Sequence, residues 1–294
     1  EISGRVAAID WRDGAYGPEG ENMYPLLFDA PPQARDPSTF ANAVSVAPAI
    51  WRGRLDRHPS ALISELDPRR HSDPFIYRKY CVDVTDPTVD ADVAVYWSYL
   101  PKLKRMRRLL RHHATFRQLS TEDVFARYLA LWFTPNARVR AGAADLVPEH
   151  AAEPVIGVHI RYTDRKTPLA AFEREIERAL EDAPRARIFL ATDSALVDDR
   201  FRKRFPSAYA ADKWFPPDGA RMHDNKAAPD MRREAENALI DMWALSRCDR
   251  LIFSRNSTFS YTSMLLGDLR HGRAVDVERR NPVIRLKRLF QEYA

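Results

Sequence analysis

The chain has 294 residues but only two cysteines, eight lysines beside 38 arginines, and no apolar run near the ~20 residues a bilayer-crossing helix needs. Cys81 and Cys248 lie far apart and belong to no CxxC pair or Cys/His ligand spacing, which speaks against a disulfide framework and against a zinc site. Two lone buried thiols in a reducing cytoplasm are the expectation. The opening residues show no basic stretch leading into an apolar one, so no secretory leader is expected among them. Neither GxGxxG nor GxxxxGK[ST] occurs, so neither a dinucleotide fingerprint nor a P-loop supports a nucleotide site here. No internal repeat or low-complexity tract is present.

What remains is a globular composition, 45% hydrophobic and 30% charged, with a formal net charge of +5. Arginine makes bidentate contacts to phosphate and carboxylate, so the arginine excess suits a polyanion or a phosphorylated small molecule.

The apolar run Val6-Ala7-Ala8-Ile9 reads as a buried strand ending in the polar loop Asp10-Trp11-Arg12-Asp13-Gly14. Short strands are expected over 75–84 and 92–99. Leu100, Leu103, Met106 and Leu110 then form a helical stripe. Ser120-Thr121-Glu122-Asp123 has the form of a capping box opening a second helix, and another follows Pro135 to about Leu146. The proline-bearing stretch 147–154 is the expected boundary between residues 1–150 and 151–294.

From there strands and helices alternate. Strands are expected over 155–160, 187–192, 250–254 and 273–277. Helices are expected over 170–181, 196–204, 232–246 and 259–266, with a last one from Pro282 that packs back on the first half. Such alternation builds βαβ units on a parallel sheet, whose ligands bind beyond the carboxyl ends of the strands.

Three of those ends carry chemistry. In Val155-Ile156-Gly157-Val158-His159-Ile160-Arg161-Tyr162-Thr163-Asp164, period two puts Gly157, His159 and Arg161 on one face and apolar residues on the other. Gly157 would admit a ligand or backbone, Arg161 would grip a diphosphate, and Asp164 would orient it or accept a proton. A strand-end ion pair with a core histidine is the plainer reading. Asp193 and Ser194 end the next strand, as ligand acceptors or as caps of the following helix. Asp241 sits at the border of a helix's apolar stripe. Ser257 and Thr258 open a helix, where hydroxyls and free N–H groups would hold an anion or simply cap it.

The HIRYTDRK, LATDS and DMWALSRCDRLIFSRNSTFS segments, with IDWRDGAY and NMYPLLF near the start, resemble the motifs of the NodZ/α1,6-fucosyltransferase group among the HxRxxD fucosyltransferases. The resemblance implies an α/β protein with two Rossmann-like domains facing a cleft (GT-B-like), the first on the acceptor side and the second binding the nucleotide sugar. It implies metal-independent, inverting transfer from GDP-fucose to a hydroxyl acceptor, with no cofactor besides the donor and no nucleic-acid partner. His159 and Asp241 match guanine-nucleoside positions, Arg161 the arginine at the diphosphate, Asp193 the acid after the LATD strand, and Ser257, Thr258 and Phe259 the site near the phosphates. Tyr162 stands where many relatives carry a second basic residue, and Leu169 where some carry a carboxylate.

Arg161 would neutralise charge developing on the leaving β-phosphate. Asp164 and Asp13 are the carboxylates that could act as general base, and Arg12 could reach acceptor or phosphate. Asp90-Ala91-Asp92 reads as a turn more than a metal-binding DxD, and His112-His113 as a helix end. Lys102, Lys104, Arg105, Arg107, Arg108 and Arg111 form a solvated helix face or, alternatively, a polyanion site. Another nucleotide-sugar donor, or a non-catalytic nucleotide-sugar or polyanion binder, are the rival functions.

Overall fold

The computed structural model describes residues 2–12, 16–70, 75–97, 103–216 and 228–293. The first half is built from short elements: α1 (Tyr24–Leu27), β1 (Val46–Ala47), α2 (Pro59–Leu66), α3 (Tyr77–Tyr80) and β2 (Val93–Ala94). β1 and β2 pair in parallel, and Trp51, Leu62, Ile63, Ile76 and Tyr80 pack beneath them.

Three expectations fail in this half. Residues 6–9 form no strand, since Ala8 makes a single bridge to Arg35 and Val6 is 56% exposed; an apolar run without a neighbouring strand has nothing to pair with. The segment 75–84 contains α3 instead of a strand. Asp67 holds α3 from its C-terminal end, accepting from the Tyr80 hydroxyl at 2.7 Å and from Lys79 at 2.6 Å. Of 92–99 only Val93–Ala94 is strand, and residues 98–99 and Leu100 lie outside the described residues.

Three helices follow: α4 (Leu103–His112), α5 (Thr121–Trp132) and α6 (Ala137–Leu146). The capping box on α5 is present. Ser120 Oγ accepts from the Asp123 N–H, and the Asp123 carboxylate accepts from the Ser120 N–H, both at 3.0 Å. His113 closes the turn after α4 by accepting from the Thr115 N–H at 3.3 Å. On the basic face, Arg105 is paired with Asp83; Lys102 lies outside the described residues.

The second half holds β3 (Val155–Ile160), α7 (Leu169–Asp182), β4 (Arg187–Thr192), α8 (Ala195–Arg204), β5 (Ala208–Tyr209), α9 (Met231–Arg247), β6 (Arg250–Phe253), α10 (Thr258–Leu266), β7 (Ala274–Asp276) and α11 (Pro282–Tyr293). All five strands are parallel in the order β5-β4-β3-β6-β7. The chain starts at the centre, winds outward over β4 and β5, then returns to the other side of β3 with β6 and β7. The order therefore reverses between β3 and β6, which is where open α/β sheets bind ligands.

Both faces of this sheet are covered. Phe172 and Ile176 of α7 with Val197 and Phe201 of α8 pack against Ile156, Val158 and Ile160. Ala244, Leu245 and Cys248 from α9 and its C-terminus pack with Leu251, Phe253, Phe189 and Val155 on the opposite side. Gly157 therefore does not open toward a ligand. A Cβ there would meet Cys248 Sγ at 2.9 Å and Leu245 Cδ2 at 3.2 Å, so the missing side chain lets α9 lie directly on β3. At the far end of α10, a Cβ on Gly267 would stand 2.0 Å from the Ser246 carbonyl oxygen, so α10 closes on α9 just as tightly.

α5 and α6, which precede residue 150, pack on this second core through Phe125, Leu129, Ala143 and Val147. α11 returns to pack against α4.

Candidate functional site at the sheet reversal

The site is assembled from the loops leaving β3, β4 and β6 and from the face of α9. His159, the penultimate residue of β3, is buried, and its ring stacks on Phe259 with centroids 4.8 Å apart and planes 20° from parallel. Burial, with the positive charges of Lys213 and Arg161, pushes the imidazole pKa down to about 3, so the ring is neutral. Its Nδ1 is buried and has no protein partner.

Arg161 leaves the end of β3 and meets Asp164 side-on. Its Nε donates to Asp164 Oδ1 at 2.6 Å and its Nη2 donates to Oδ2. This bidentate edge raises the guanidinium pKa above its usual value, with smaller contributions from Asp193 and the Tyr16 hydroxyl. Nη1 takes no part in this pairing, and the Arg161 side chain remains 32% exposed. The Arg161–Asp164 ion pair of the plainer reading is thus present.

Asp193 holds the loop that carries Arg161. Its Oδ1 accepts the Tyr162 N–H at 2.6 Å, and Oδ2 accepts the Thr163 N–H at 3.2 Å and the Thr163 hydroxyl at 2.6 Å. Asp193 therefore ties this loop, and among the described residues no side chain caps α8. Ser194 occupies the N-cap position of α8 but makes no side-chain cap bond; its N–H donates to Thr192 Oγ1 at 3.3 Å. The Tyr162 ring lies 4.1 Å from Lys166 Nζ, and Thr167 closes the loop by donating to the Arg161 carbonyl at 3.0 Å.

Across the reversal, Ser257 precedes α10 and also makes no cap bond. Its hydroxyl oxygen is buried without a partner, while Thr258 is exposed in the first turn. An uncapped helix start with a buried hydroxyl offers N–H and O–H donors to an anion. Below it, Ser254 donates to Glu278, which also accepts from Arg165 at 2.8 and 3.0 Å, so the loops after β3, β6 and β7 are tied together.

Asp241 is not at the border of α9's apolar stripe but inside it, 3% exposed. Its Oδ2 accepts from Lys213 Nζ, whose side chain is 3% exposed, and its Oδ1 has no partner. Burial pushes the Asp241 carboxyl above its usual range, and the opposing charge of Lys213 offsets that only in part. Lys213 escaped the sequence reading because β5 is two residues long and the residue follows it without a motif. Its setting near Tyr209, Trp214 and Phe215 was the only signal. Tyr16 was likewise missed, although it lies within IDWRDGAY.

One expected residue is not brought to this site. Arg12 is paired with Asp10 (Nε to Oδ1 2.7 Å) and donates to the Leu55 carbonyl at 3.1 Å, so its partners are all in the first half. Asp13 lies outside the described residues. Asp90 and Asp92 are exposed beside β2, away from any strand's carboxyl end. Among the described residues, no three His, Cys, Asp or Glu side chains are placed to share a metal ion.

A parallel sheet with its order reversed at the centre, and cationic and unpartnered polar groups at that point, define an α/β protein of GT-B-like fold. A crystal structure of NodZ alpha-1,6-fucosyltransferase soaked with GDP-fucose superposes with a TM-score of 0.57 at 22% identity, over 90% of this chain and 82% of that one. The same enzyme co-crystallised with GDP superposes with a TM-score of 0.55. The nodulation protein Z of Azorhizobium caulinodans is 28% identical over 289 residues, covering 89% of this chain and 80% of its own. The family model of nodulation protein Z (NodZ) matches residues 122–283, more than half of the chain, and the chain belongs to that family.

Proposed function

We propose that this protein is a glycosyltransferase that transfers fucose, with inversion, from GDP-fucose to a hydroxyl acceptor. The observation that carries the reading is the set of buried polar atoms that lack partners among the described residues at one sheet reversal: His159 Nδ1, Asp241 Oδ1 and Ser257 Oγ. Buried polar groups are nearly always hydrogen-bonded, so three orphans at one strand-end crevice mark a ligand's polar outline. The GDP and GDP-fucose complexes of the NodZ enzyme support a guanosine diphosphate as that ligand.

In this reading the base lies toward Asp241 and His159, and the diphosphate between Ser257, the start of α10 and Arg161. Negative charge grows on the β-phosphate as the glycosidic bond breaks. Arg161, already held rigid by Asp164, meets that charge without reorganising. With both carboxylate oxygens on Arg161, Asp164 serves as a positioning residue. The acceptor proton then falls to Asp13, four residues after Ile9 and three before Tyr16, whose hydroxyl bears on Arg161. Transfer proceeds without a divalent metal, and residues 1–150 supply the acceptor side. Two buried free cysteines support a cytoplasmic setting.

Calorimetry with GDP, UDP and ADP, followed by release of GDP from GDP-fucose across a panel of glycan acceptors with and without EDTA, tests this. Preference for GDP with EDTA-resistant turnover is expected. UDP or ADP preference would overturn the donor, and GDP binding with no turnover on any acceptor would favour a non-catalytic binder, as Tyr162 and Leu169 already hint.

A further inference from the structure

Lys213 has no role in the reading above, yet it is the group in closest contact with the base end of the site. Its side chain is 3% exposed and that of Asp241 4%. An ammonium and a carboxylate that deep are each costly alone and tolerable only as a pair. The pair is lopsided in a useful way. Lys213 occupies Oδ2 of Asp241, while Oδ1 remains buried and unpartnered.

Resting on the proposed guanosine-diphosphate site, we propose that Lys213 is a specificity-determining residue of the base pocket. Its ammonium favours the anionic form of Asp241 and orients it, so that Oδ1 accepts from the N–H edge of the base. A charged carboxylate is an acceptor only, whereas a protonated one would also donate and would suit a base with acceptors on that edge. Guanine presents ring and exocyclic N–H donors together, and the corresponding edge of adenine does not.

The charges that face Asp241 are few. Lys213 comes from the segment after β5, Asp198 from α8, and the positive side of the pocket is completed by Arg161 near the neutral His159. Asp198 and burial both favour the protonated carboxyl, and Lys213 alone opposes them. Replacing Lys213 by a neutral residue of similar length therefore removes the cation that opposes protonation of Asp241. A second consequence concerns His159, whose ring Lys213 also helps to keep neutral.

The test uses the full chain in three forms: wild type, K213M and K213R. In the unliganded protein, carbon-13 NMR of labelled aspartate, with the Asp241 signal identified by its loss in D241N, reads that carboxyl directly. Its titration midpoint should lie higher in K213M than in wild type and K213R. Calorimetry should then show GDP binding at pH 6 weakened at least tenfold in K213M, recovering toward pH 8.5, with the GDP-over-ADP preference reduced. Wild type and K213R should show neither effect. An Asp241 signal unmoved by K213M, or GDP affinity unchanged or tightened, would overturn the proposal; tightening would make Lys213 a plug that the base displaces. If K213M does not fold, K213M/D241N removes both charges together and should bind GDP weakly with no dependence on pH over this range, and retained wild-type affinity there would overturn it equally. Wild type that binds no GDP would instead fail the donor reading, while the unliganded titration still reports whether Lys213 sets the charge of Asp241.

Discussion

Asp193 and Thr163 sit at the ends of neighbouring strands and are joined twice, through the Thr163 N–H and hydroxyl to one carboxylate oxygen. The second oxygen takes the N–H of Tyr162. One side chain at the end of β4 thus sets the backbone path of the loop that carries Arg161.

Asp193→Ala should therefore lower turnover more than it lowers GDP affinity, because the arginine is displaced without being removed. A drop of about tenfold or more in kcat is expected, since small misplacements of a positioned group are costly. Steady-state kinetics beside calorimetry separates the two quantities. Equal losses in both would mean that Asp193 touches the nucleotide itself.

Arg161→Ala should abolish transfer to within background, a loss of at least 10²–10³-fold for a charge-stabilising donor. Its melting temperature should stay near wild type, because the side chain is half-exposed. Arg161→Lys should restore little, as an ammonium cannot hold Asp164 side-on and a phosphate at its other end. Asp164→Asn should reduce kcat with the pH–rate profile unshifted; a lost acidic limb in that variant would make Asp164 the proton acceptor.

Stability should fall on the acid side because of His159. Its folded pKa is depressed to about 3 from 6.5. Between those values the unfolded chain binds a proton that the folded one does not, so the stabilising effect of the neutral ring is complete above pH 6.5 and declines as pH drops. The decline is at most about 1.4 kcal/mol per pH unit from this one residue. Urea melts of wild type and His159→Gln between pH 7.5 and 5 should diverge in slope, and parallel curves would contradict the buried, neutral assignment.

Gly157→Ala should destabilise by about 1–3 kcal/mol through overpacking, because its Cβ would press on Cys248 and Leu245. The same shift moves α9 and with it Asp241. GDP affinity should therefore fall alongside stability, in contrast to the Asp193 variant.

The second half was legible because its pattern is redundant. β3 and β4 run over the residues their apolar runs mark, 155–160 and 187–192. α7, α9 and α10 start within a residue of their expected positions. The first half offers no such redundancy. Val6–Ile9 has the composition of a strand, but a strand also needs a neighbour, and pairing is not encoded in the run itself. In the site, His159, Arg161 and Asp241 announced themselves by unusual positions on periodic elements. Lys213 did not, since a cation following a two-residue strand breaks no pattern. Asp193 was noticed for its place at a strand end, but its oxygens also accept from a loop 30 residues earlier, a contact that only folding reveals.

The opening of α5 bears on how this protein can be cut. Glu122 accepts from the Tyr261 hydroxyl at 2.7 Å and from Arg255, and Asp123 pairs with Arg270. Glu236 on α9 in turn accepts from Asn136 at 3.0 Å and Arg138 at 2.6 Å. A donor-side fragment excised at residue 151 would leave these partners stranded and bare the apolar floor under α6. Chimeras that exchange nucleotide-sugar modules should place their junction ahead of Ser120, so that the helical pair travels with the sheet it roofs.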